Sequence, residues 1–227
     1  LNEFLNKLKK LLLKFPDYPL LEYVNIIKQK SMVIPIGVKM GNLAKRTEKY
    51  NPITILWNHR WEYDKNPDQF FKILFKLNQE GINFNLNVIG ENFKHSPLIF
   101  DQAKEVLKNK ILNWGFIESR QYYYKILSSS NILPVTSIHD FFGVSTVEAI
   151  SQGLSPLLPN RLAYPEHIPN YLFKNYLYNS EEELYSKLKN MILNYKNLNS
   201  IELQNYIQKY EIKTVIKKYD KYFEEII

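Results

Sequence analysis

The chain has 227 residues, which is enough for one large domain or two small ones. With 45% hydrophobic and 23% charged residues it can bury a sizeable core, which excludes disordered and collagen-like classes. Cysteine is absent, so disulfide scaffolds, zinc–thiolate sites and cysteine nucleophiles are excluded as well. No apolar run approaches the roughly 18 residues that a membrane span requires.

The net charge of +7 reflects 30 basic and 23 acidic residues, and this excess is compatible with a nucleic-acid partner. Lysine supplies nearly all of the basic residues, since arginine occurs only at positions 46, 60, 120 and 161. Because the lysines are spread along the chain, compositional drift explains the charge as well as a binding surface does.

The first 52 residues precede the region of regular strand–helix alternation. Apolar residues recur at helical spacing over residues 1–14, and two prolines end that helix. Residues 31–36 form a short apolar run that predicts a strand, and residues 39–52 are polar and basic and predict a linker. The sequence begins with Leu1 rather than methionine, and we therefore expect it to be part of a longer protein.

Strands and helices alternate from residue 53 onward. The predicted strands are 53–57, 84–88, 111–114, 131–135, 154–158 and 176–178. The predicted helices are 67–80, 97–109, 122–129, 144–152 and a largely helical region from 181 onward. This rhythm predicts an α/β fold, in which a Rossmann-like parallel sheet carries helices on both faces. We place this domain at residues 53–195 and expect further helices over residues 196–227.

Two helix starts carry recognisable capping signals. Asn66 precedes Pro67, so the asparagine would cap a helix with proline at its first position, and Gln69 would complete a box-like cap. Ser180 and Glu183 are spaced in the same way before the last helical region. Both patterns predict where a helix begins.

A cluster of polar residues follows the first predicted strand, over residues 58–66. Ligands of open parallel sheets bind at the carboxyl ends of strands, which is where this loop lies. Arg60 and Lys65 are five positions apart, so both can point into one crevice, and two such cations suit a diphosphate. The alternative is a solvated basic loop. Glu62 and Asp64 resemble an acidic metal pair only weakly.

A second cluster lies at residues 137–149, between the fourth predicted strand and the helix after it. Gly143 permits a close backbone approach, and the free N–H groups of the helix start form an anion site. Asp140 precedes that helix and Glu148 lies inside it, so both carboxylates can border one pocket and accept hydrogen bonds from sugar hydroxyls. The alternatives are a capping role for Asp140 and a buried structural role for Glu148.

The four histidines are not spaced as metal ligands. His95 and His167 are interpreted as structural residues. His59 and His139 lie in the two polar clusters, where either can line a pocket or contact a substrate. The sequence contains no nucleophile elbow, P-loop or glycine-rich dinucleotide fingerprint.

Several of these positions together resemble the donor-binding half of retaining glycosyltransferases with two Rossmann-like domains, the GT-B architecture. The residues that carry the resemblance are Arg60, Lys65, Gly90, Trp114-Gly115-Phe116, Asp140 with Glu148 eight positions later, Gly153 and Glu166. Within that superfamily, residues 55–67, 139–144 and 159–166 are similar to the tRNA-queuosine mannosyltransferases. The likeness covers about residues 30–190, and Asp140 stands where the family usually has glutamate.

The resemblance implies a role for each matched residue. Arg60 and Lys65 would hold the donor diphosphate and stabilise charge on the leaving group, and Asp140 would bind hydroxyls of the donor sugar. Glu148 would bind the nucleotide ribose. The other donor-binding residues implied are Gly115 and Phe116 near the base, and Phe142, Gly143 and Val144 at the helix start with its backbone N–H groups.

The activity implied is transfer of mannose from the nucleotide sugar GDP-mannose to queuosine in tRNA, with retention of the anomeric configuration. The resemblance implies no metal, no other cofactor, no membrane partner and a cytoplasmic location. The acceptor side would lie on an N-terminal half that is mostly absent here, and residues 1–38 would be the tail of that half and a linker strand. Two other functions stay open, namely a GT-B enzyme of cell-surface glycan or glycolipid synthesis and a non-catalytic nucleotide-sugar-binding module.

Overall fold

The chain divides into two units, Leu1–Ile36 with Val215–Ile227 and Gly37–Thr214. The computed structural model describes residues 1–15, 17–41, 52–92, 96–195 and 200–226. Most of the predicted linker at 39–52 therefore lies outside the described residues, as does His95. The bounds of the second unit enclose the predicted domain of residues 53–195.

The first unit is helical. It contains helices α1 (Asn2–Leu12) and α2 (Glu22–Gln29) and most of the last helix, α10 (Ile212–Ile226). The predicted N-terminal helix is confirmed, and Leu5 on its apolar side is buried. The predicted strand over residues 31–36 is wrong, because the segment pairs with no strand of the described chain. An apolar composition favours a strand, but a strand forms only beside a partner that completes its hydrogen bonds.

The second unit is built on a six-stranded parallel sheet formed by the described residues. Its strands are β1 (Ile53–Trp57), β2 (Phe84–Ile89), β3 (Ile111–Gly115), β4 (Ile132–Pro134), β5 (Ser155–Pro159) and β6 (Leu177–Tyr178). The spatial order is β3-β2-β1-β4-β5-β6. Each strand lies within two residues of its predicted bounds, so the strand predictions of this unit are confirmed.

The central strands are buried on both faces, as parallel strands covered by helices must be. Ile55 of β1 pairs with Leu86 of β2 on one side and Ile132 of β4 on the other. The β2–β3 ladder shifts register between Leu86 and Asn87. All three of the paired apolar residues are fully buried, so the core of this unit is centred on β1.

Helices cover both faces of the sheet. The described helices of this unit are α3 (Pro67–Gln79), α4 (Ile99–Val106), α5 (Arg120–Ser129), α6 (Val144–Ser151), α7 (Phe173–Tyr176), α8 (Glu181–Leu193) and α9 (Ser200–Tyr206). The β1–α3–β2 and β4–α6–β5 connections run in opposite directions across the sheet, so right-handed crossovers place α3 and α6 on opposite faces. Helix α3 packs against α4 and α8, whereas α6 packs against α9. The predicted fold class is confirmed.

The two predicted helix starts differ in their hydrogen bonds. Ser180 accepts the Glu183 N–H at 3.2 Å, and the Glu183 carboxylate accepts the Asn179 N–H at 2.8 Å, so this cap is closed from both sides. Asn66 does precede a helix with proline at its first position, but its backbone is left-handed and its side chain accepts no cap hydrogen bond. Its amide instead donates to the Gln69 side chain at 3.1 Å.

A buried aromatic cluster supports the loop after β1. The Trp61 ring stacks on Phe100 with centroids 4.2 Å apart and meets Trp114 edge-on at 5.2 Å. The backbone N–H of Trp61 donates to the Glu91 carbonyl at 2.9 Å. The loop is therefore fixed by Trp61 in its middle, with Arg60 directly before that anchor.

A chain of polar side chains crosses the β2–β3 edge of the sheet. The Asn113 amide donates to the Asn87 side-chain oxygen at 2.8 Å, and the Asn87 amide donates to the Ser130 hydroxyl at 2.9 Å. The Tyr122 hydroxyl donates to the Asn113 oxygen at 2.8 Å. Asn87 and Ser130 are buried, so each of their polar groups has a partner where water is excluded.

Candidate active site

The two polar clusters meet where the chain reverses its direction of travel across the sheet. β1 and β4 are neighbours, and the chain leaves β1 towards β2 but leaves β4 towards β5. The loops that follow such a pair of strands diverge, and the crevice between them is the usual ligand site of an open α/β sheet. Residues 58–66 and 135–143 form these two loops.

Backbone hydrogen bonds tie the two loops together. The Ile138 N–H donates to the Asp64 carbonyl at 2.7 Å, and the Thr136 hydroxyl donates to the Lys65 carbonyl at 2.8 Å. The floor of the crevice is therefore a joined pair of loops.

Lys65 is buried at the centre of this junction, with 8% of its surface exposed. Its Nζ donates to the His139 carbonyl at 2.8 Å and lies 3.0 Å from an Asp64 carboxylate oxygen and 3.6 Å from Oδ2 of Asp140. A buried ammonium needs such partners, because removing it from water is costly. The lysine thus joins both loops and remains a point of positive charge in the crevice.

Asp140 is held by hydrogen bonds on both of its carboxylate oxygens. Oδ1 accepts the Phe142 N–H at 3.3 Å, and Oδ2 accepts the Tyr164 hydroxyl at 3.1 Å. Desolvation of the buried Tyr164 raises the pKa of its phenol, so this hydroxyl stays a donor. The capping alternative is wrong, because α6 starts after Gly143 without a side-chain cap hydrogen bond, and the Phe142 N–H that Asp140 accepts lies before the helix.

Gly143 is the residue that the start of α6 requires. Its φ is +85°, in the left-handed region, and an added Cβ would lie 3.1 Å from the Tyr164 ring. A side chain at this position would therefore strain the backbone and crowd the tyrosine. The first turn that follows, from Val144, presents N–H groups that have no acceptor within the helix. These groups give the crevice a second source of positive potential.

Glu148 lies one turn further along α6, with its side chain 13% exposed. Its carboxylate accepts the Tyr123 hydroxyl at 2.9 Å and lies 3.4 Å from both the Arg120 guanidinium and the Tyr124 hydroxyl. Burial raises the pKa of Glu148, while the Tyr123 hydroxyl and the Arg120 charge oppose that rise. The structure therefore supplies the partners that a buried carboxylate demands.

Arg60 differs from Lys65 in its surroundings. Its side chain is 54% exposed and forms an ion pair with Glu62 at 3.0 Å. The structure thus brings Lys65 together with Asp140, and it leaves Arg60 at the mouth of the same loop with a solvated partner. An exposed guanidinium paired in this way is free to reorient toward an entering anion.

Gly115 ends β3 and Phe116 follows it, at the same edge of the sheet. Gly115 has a φ of +104°, and its carbonyl accepts the Gly90 N–H at 3.2 Å. Phe116 is 64% exposed. Gly90 directly follows β2 and lies so close to the loop after β1 that an added Cβ would be 2.0 Å from the His59 carbonyl oxygen. Glycine at position 90 is therefore what lets these two strand ends come together.

The three described histidines have different environments. Burial lowers the pKa of His59 to about 4, and its Nδ1 lies 3.3 Å from the Ser145 hydroxyl. Burial likewise lowers the pKa of His167 to about 4, and its Nε2 lies 2.6 Å from the Phe142 carbonyl, as expected of a structural residue. His139 exposes its side chain and engages Lys65 through its carbonyl.

Sequence reasoning missed several residues of this site. Tyr123, Tyr124 and Arg120 lie on α5 and surround Glu148, although the sequence signalled only that this carboxylate needs partners. Arg161 donates to the Thr136 and Ser137 carbonyls and so closes the loop after β4 from the side of β5. Nothing in the sequence pattern links either set to the crevice, because both depend on the packing of distant segments.

The described residues contain no group of three or more His, Asp or Glu side chains that could hold a metal ion. Within the same residues, no helix combines the length and apolar character needed to cross a membrane.

Comparison with known proteins places this architecture in a family. The model for glycosyl transferases group 1 matches residues 41–214. The tRNA-queuosine alpha-mannosyltransferase of Drosophila melanogaster is 33% identical over 199 residues, which is 83% of this chain and 52% of that protein. The chain thus spans about half the length of this curated relative.

Solved glycosyltransferases have the same fold. The pneumococcal O-GlcNAc transferase GtfA, solved with UDP and GlcNAc, aligns with 85% of this chain and 38% of its own at 18% identity and a TM-score of 0.66. The lipopolysaccharide outer core galactosyltransferase WaaB aligns with 91% of this chain and 60% of its own at 13% identity and a TM-score of 0.66. These likenesses show that the chain shares its fold with the aligned parts of these glycosyltransferases. Because the family model matches most of this chain, the chain belongs to the glycosyl transferases group 1 family.

Proposed function

We propose that this chain is the donor-binding half of a retaining glycosyltransferase that transfers mannose from GDP-mannose to queuosine in tRNA. The observation that carries the proposal is the 33% identity, over 83% of the chain, with a protein named tRNA-queuosine alpha-mannosyltransferase. The strings 55–67, 139–144 and 159–166, which suggested the reaction from sequence, all contribute residues to or beside the crevice. The proposed acceptor, tRNA, implies a cytoplasmic location.

Lys65, Arg60 and the start of α6 form the proposed diphosphate site. Lys65 offers a fixed ammonium between the two loops, and Arg60 offers an exposed guanidinium that can turn from Glu62 to a phosphate. Helix N–H groups add donors aimed at an anion. We propose that these groups act without a metal or other cofactor, since the nearby carboxylates of Asp64 and Asp140 are already engaged by Lys65.

Asp140 and Glu148 form the proposed hydroxyl-binding pair. Asp140 would accept hydrogen bonds from the donor sugar, and its hold on Tyr164 and the Phe142 N–H fixes the carboxylate in place. Glu148 would accept the ribose hydroxyls, with Tyr123 fixing one of its oxygens. Gly115 and Phe116 would lie near the base.

The reaction breaks the bond between the anomeric carbon of mannose and the β-phosphate oxygen, and it forms a bond from that carbon to a hydroxyl oxygen of queuosine. The leaving GDP gains negative charge as the bond breaks, and the proton of the acceptor hydroxyl passes to the departing phosphate. Positive charge fixed beside the leaving oxygen lowers the barrier, because it stabilises the negative charge that develops on that oxygen in the transition state. We propose this role for Lys65 and Arg60.

The decisive experiment is a transfer assay with the complete polypeptide, labelled GDP-mannose and tRNA that contains or lacks queuosine. Label transfer that requires queuosine is the expected result, and transfer to neither tRNA overturns the proposal. A thermal-shift panel of GDP-mannose, GDP, UDP-glucose, UDP-N-acetylglucosamine and UDP tests the donor, because a ligand of the native state raises the melting temperature. Shifts by the uridine nucleotides alone would favour an enzyme of glycan or glycolipid synthesis, and no shift would favour a non-catalytic module.

A further inference from the structure

Phe141 occupies an unusual position at the tip of the loop between β4 and α6. Its side chain is fully exposed, at 102% of the reference surface, whereas the neighbouring Phe142 is 9% exposed. Asp140, directly before Phe141, contacts Lys65 in the crevice, and Gly143, two residues after Phe141, precedes the first turn of α6. The most exposed aromatic ring of the described chain therefore stands beside the proposed sugar-binding carboxylate.

The backbone on both sides of Phe141 is firmly held. Asp140 is fixed by the Tyr164 hydroxyl and by Lys65. Phe142 packs edge-on against His167 and Tyr210 at 5.1 and 5.0 Å, and its carbonyl lies 2.6 Å from His167 Nε2. With both neighbours anchored, the Phe141 ring has little opportunity to fold back onto the protein surface. The ring therefore presents a flat aromatic face on which another flat ring can stack.

We propose that Phe141 is a stacking platform for a nucleobase of the RNA acceptor. This inference rests on the proposed function and identifies a specificity-determining residue for it. Proteins recognise single-stranded RNA by stacking unpaired bases on exposed aromatic rings, and the chain's net charge of +7 suits a phosphate backbone. A base stacked on Phe141 would place its nucleoside next to Asp140, and so beside the sugar to be transferred.

The competing explanation is that Phe141 contacts an apolar surface of protein. Aromatic and aliphatic replacements separate the two, because a nucleobase stacks on any flat ring, whereas apolar packing accepts leucine as well. We would compare Phe141→Ala, Phe141→Leu and Phe141→Trp in the complete polypeptide. Phe223→Ala is the matched control, since Phe223 is an exposed phenylalanine outside the two loops.

The readouts are the KM for queuosine-containing tRNA, kcat, and GDP affinity by calorimetry. Phe141→Ala is expected to raise the tRNA KM by roughly tenfold to a hundredfold, the usual loss for one stacked base, without changing GDP affinity. Phe141→Trp should restore the wild-type KM and Phe141→Leu should not. Restoration by leucine, or an unchanged KM in the alanine variant, overturns the inference.

Direct RNA binding separates this inference from the proposed function. If the wild-type protein mannosylates queuosine and the Phe141 variants bind RNA as tightly as it does, only the stacking role is overturned. If the Phe141 variants bind RNA more weakly than the wild-type protein but the wild-type protein transfers no mannose, only the proposed reaction is overturned. Wild-type protein that neither binds nor modifies tRNA overturns both.

Discussion

The Lys65 ammonium and the Asp140 carboxylate follow different strands, β1 and β4, and lie 3.6 Å apart in the crevice between them. Asp64 lies closer still, at 3.0 Å, and the His139 carbonyl accepts a hydrogen bond from the same ammonium. Since Lys65 is almost wholly buried, it holds the two loops together and supplies charge to the crevice at once. Removal of this lysine should therefore affect both stability and ligand binding.

We expect Lys65→Met to lower the free energy of unfolding by about 1 to 3 kcal/mol, because the partly buried carboxylates of Asp64 and Asp140 lose their cation. GDP affinity should fall at least about tenfold. Urea unfolding and calorimetry measure the two effects. Lys65→Arg keeps the positive charge, so it should lower the free energy of unfolding and the GDP affinity by less than Lys65→Met does. Unchanged unfolding and unchanged affinity in the methionine variant would contradict the double role.

Arg60→Ala should weaken GDP binding without weakening the fold. The guanidinium is more than half exposed and paired only with Glu62 among the described residues, and such surface pairs contribute little to stability. Loss of charge-assisted hydrogen bonds to a diphosphate, worth about 1.5 to 3 kcal/mol, should lower affinity about tenfold to a hundredfold. Calorimetry with GDP tests this, and equal affinity for both proteins would remove the diphosphate role of Arg60.

GDP affinity should decrease with falling pH as Glu148 becomes protonated. A protonated carboxyl accepts fewer hydrogen bonds from ribose hydroxyls, and burial raises the pKa of Glu148 above its ordinary value. Tyr123→Phe removes a donor that stabilises the carboxylate, so the loss should begin at a higher pH. Calorimetry at a series of pH values measures it. Glu148→Gln is the control, because glutamine does not titrate and any remaining pH dependence then comes from GDP or from other groups. If the wild-type protein and this variant had the same pH profile of GDP affinity, the role of Glu148 in binding the ribose would be contradicted.

Stability should fall between pH 6.5 and pH 4 because of His59 and His167. Burial lowers the pKa of each to about 4, from 6.5, so the unfolded chain binds more protons than the folded chain in this window. The contribution of these neutral histidines to the free energy of unfolding is complete above pH 6.5. It is lost as the pH falls, by on the order of 1 kcal/mol per histidine per pH unit. Urea unfolding at pH 5, 6 and 7 should show a shallower dependence in His167→Gln. An identical slope in that variant would contradict the assignment.

Two glycines offer a matched test of the strand junction. Gly90→Ala should cost about 3 kcal/mol or more, because the new Cβ would lie 2.0 Å from the His59 carbonyl oxygen. Gly81→Ala has a strained φ of +74° but open space around it, so its cost should be roughly 1 to 2 kcal/mol. Thermal or urea unfolding compares them. Equal costs would show that backbone strain, and not the close approach, fixes Gly90.

Local signals allowed the sheet and its loops to be predicted from sequence. Short apolar runs placed all six strands of the second unit, and the alternation of elements indicated a parallel sheet. The strand expected at residues 31–36 failed because its composition carried no information about a partner. The carboxyl ends of the strands then indicated where Arg60, Lys65, Asp140 and Glu148 would gather.

Contacts within the site depended on tertiary packing and could not be predicted. Spacing grouped Lys65 with Arg60, but the neighbouring positions of β1 and β4 pair Lys65 with Asp140. Glu148 on an apolar helix indicated that a partner exists, and only the docking of α5 identifies it as Tyr123. Local sequence patterns indicate which residues of a segment are buried, whereas the partner of each residue depends on the order of the strands and the packing of the helices.

The side-chain amides of Asn87 and Asn113 have a consequence for how β3 is aligned. A shift of β3 by one residue along β2 would remove Asn113 from both Asn87 and Tyr122 and leave the buried Asn87 side-chain oxygen without its donor. Alignment of this outermost strand is thus specified by hydrogen-bond matching, in a place where its side chains are only half-buried and apolar packing discriminates little. Leu112, which is 56% exposed on the same strand, should accordingly tolerate many substitutions, whereas Asn113 should tolerate few.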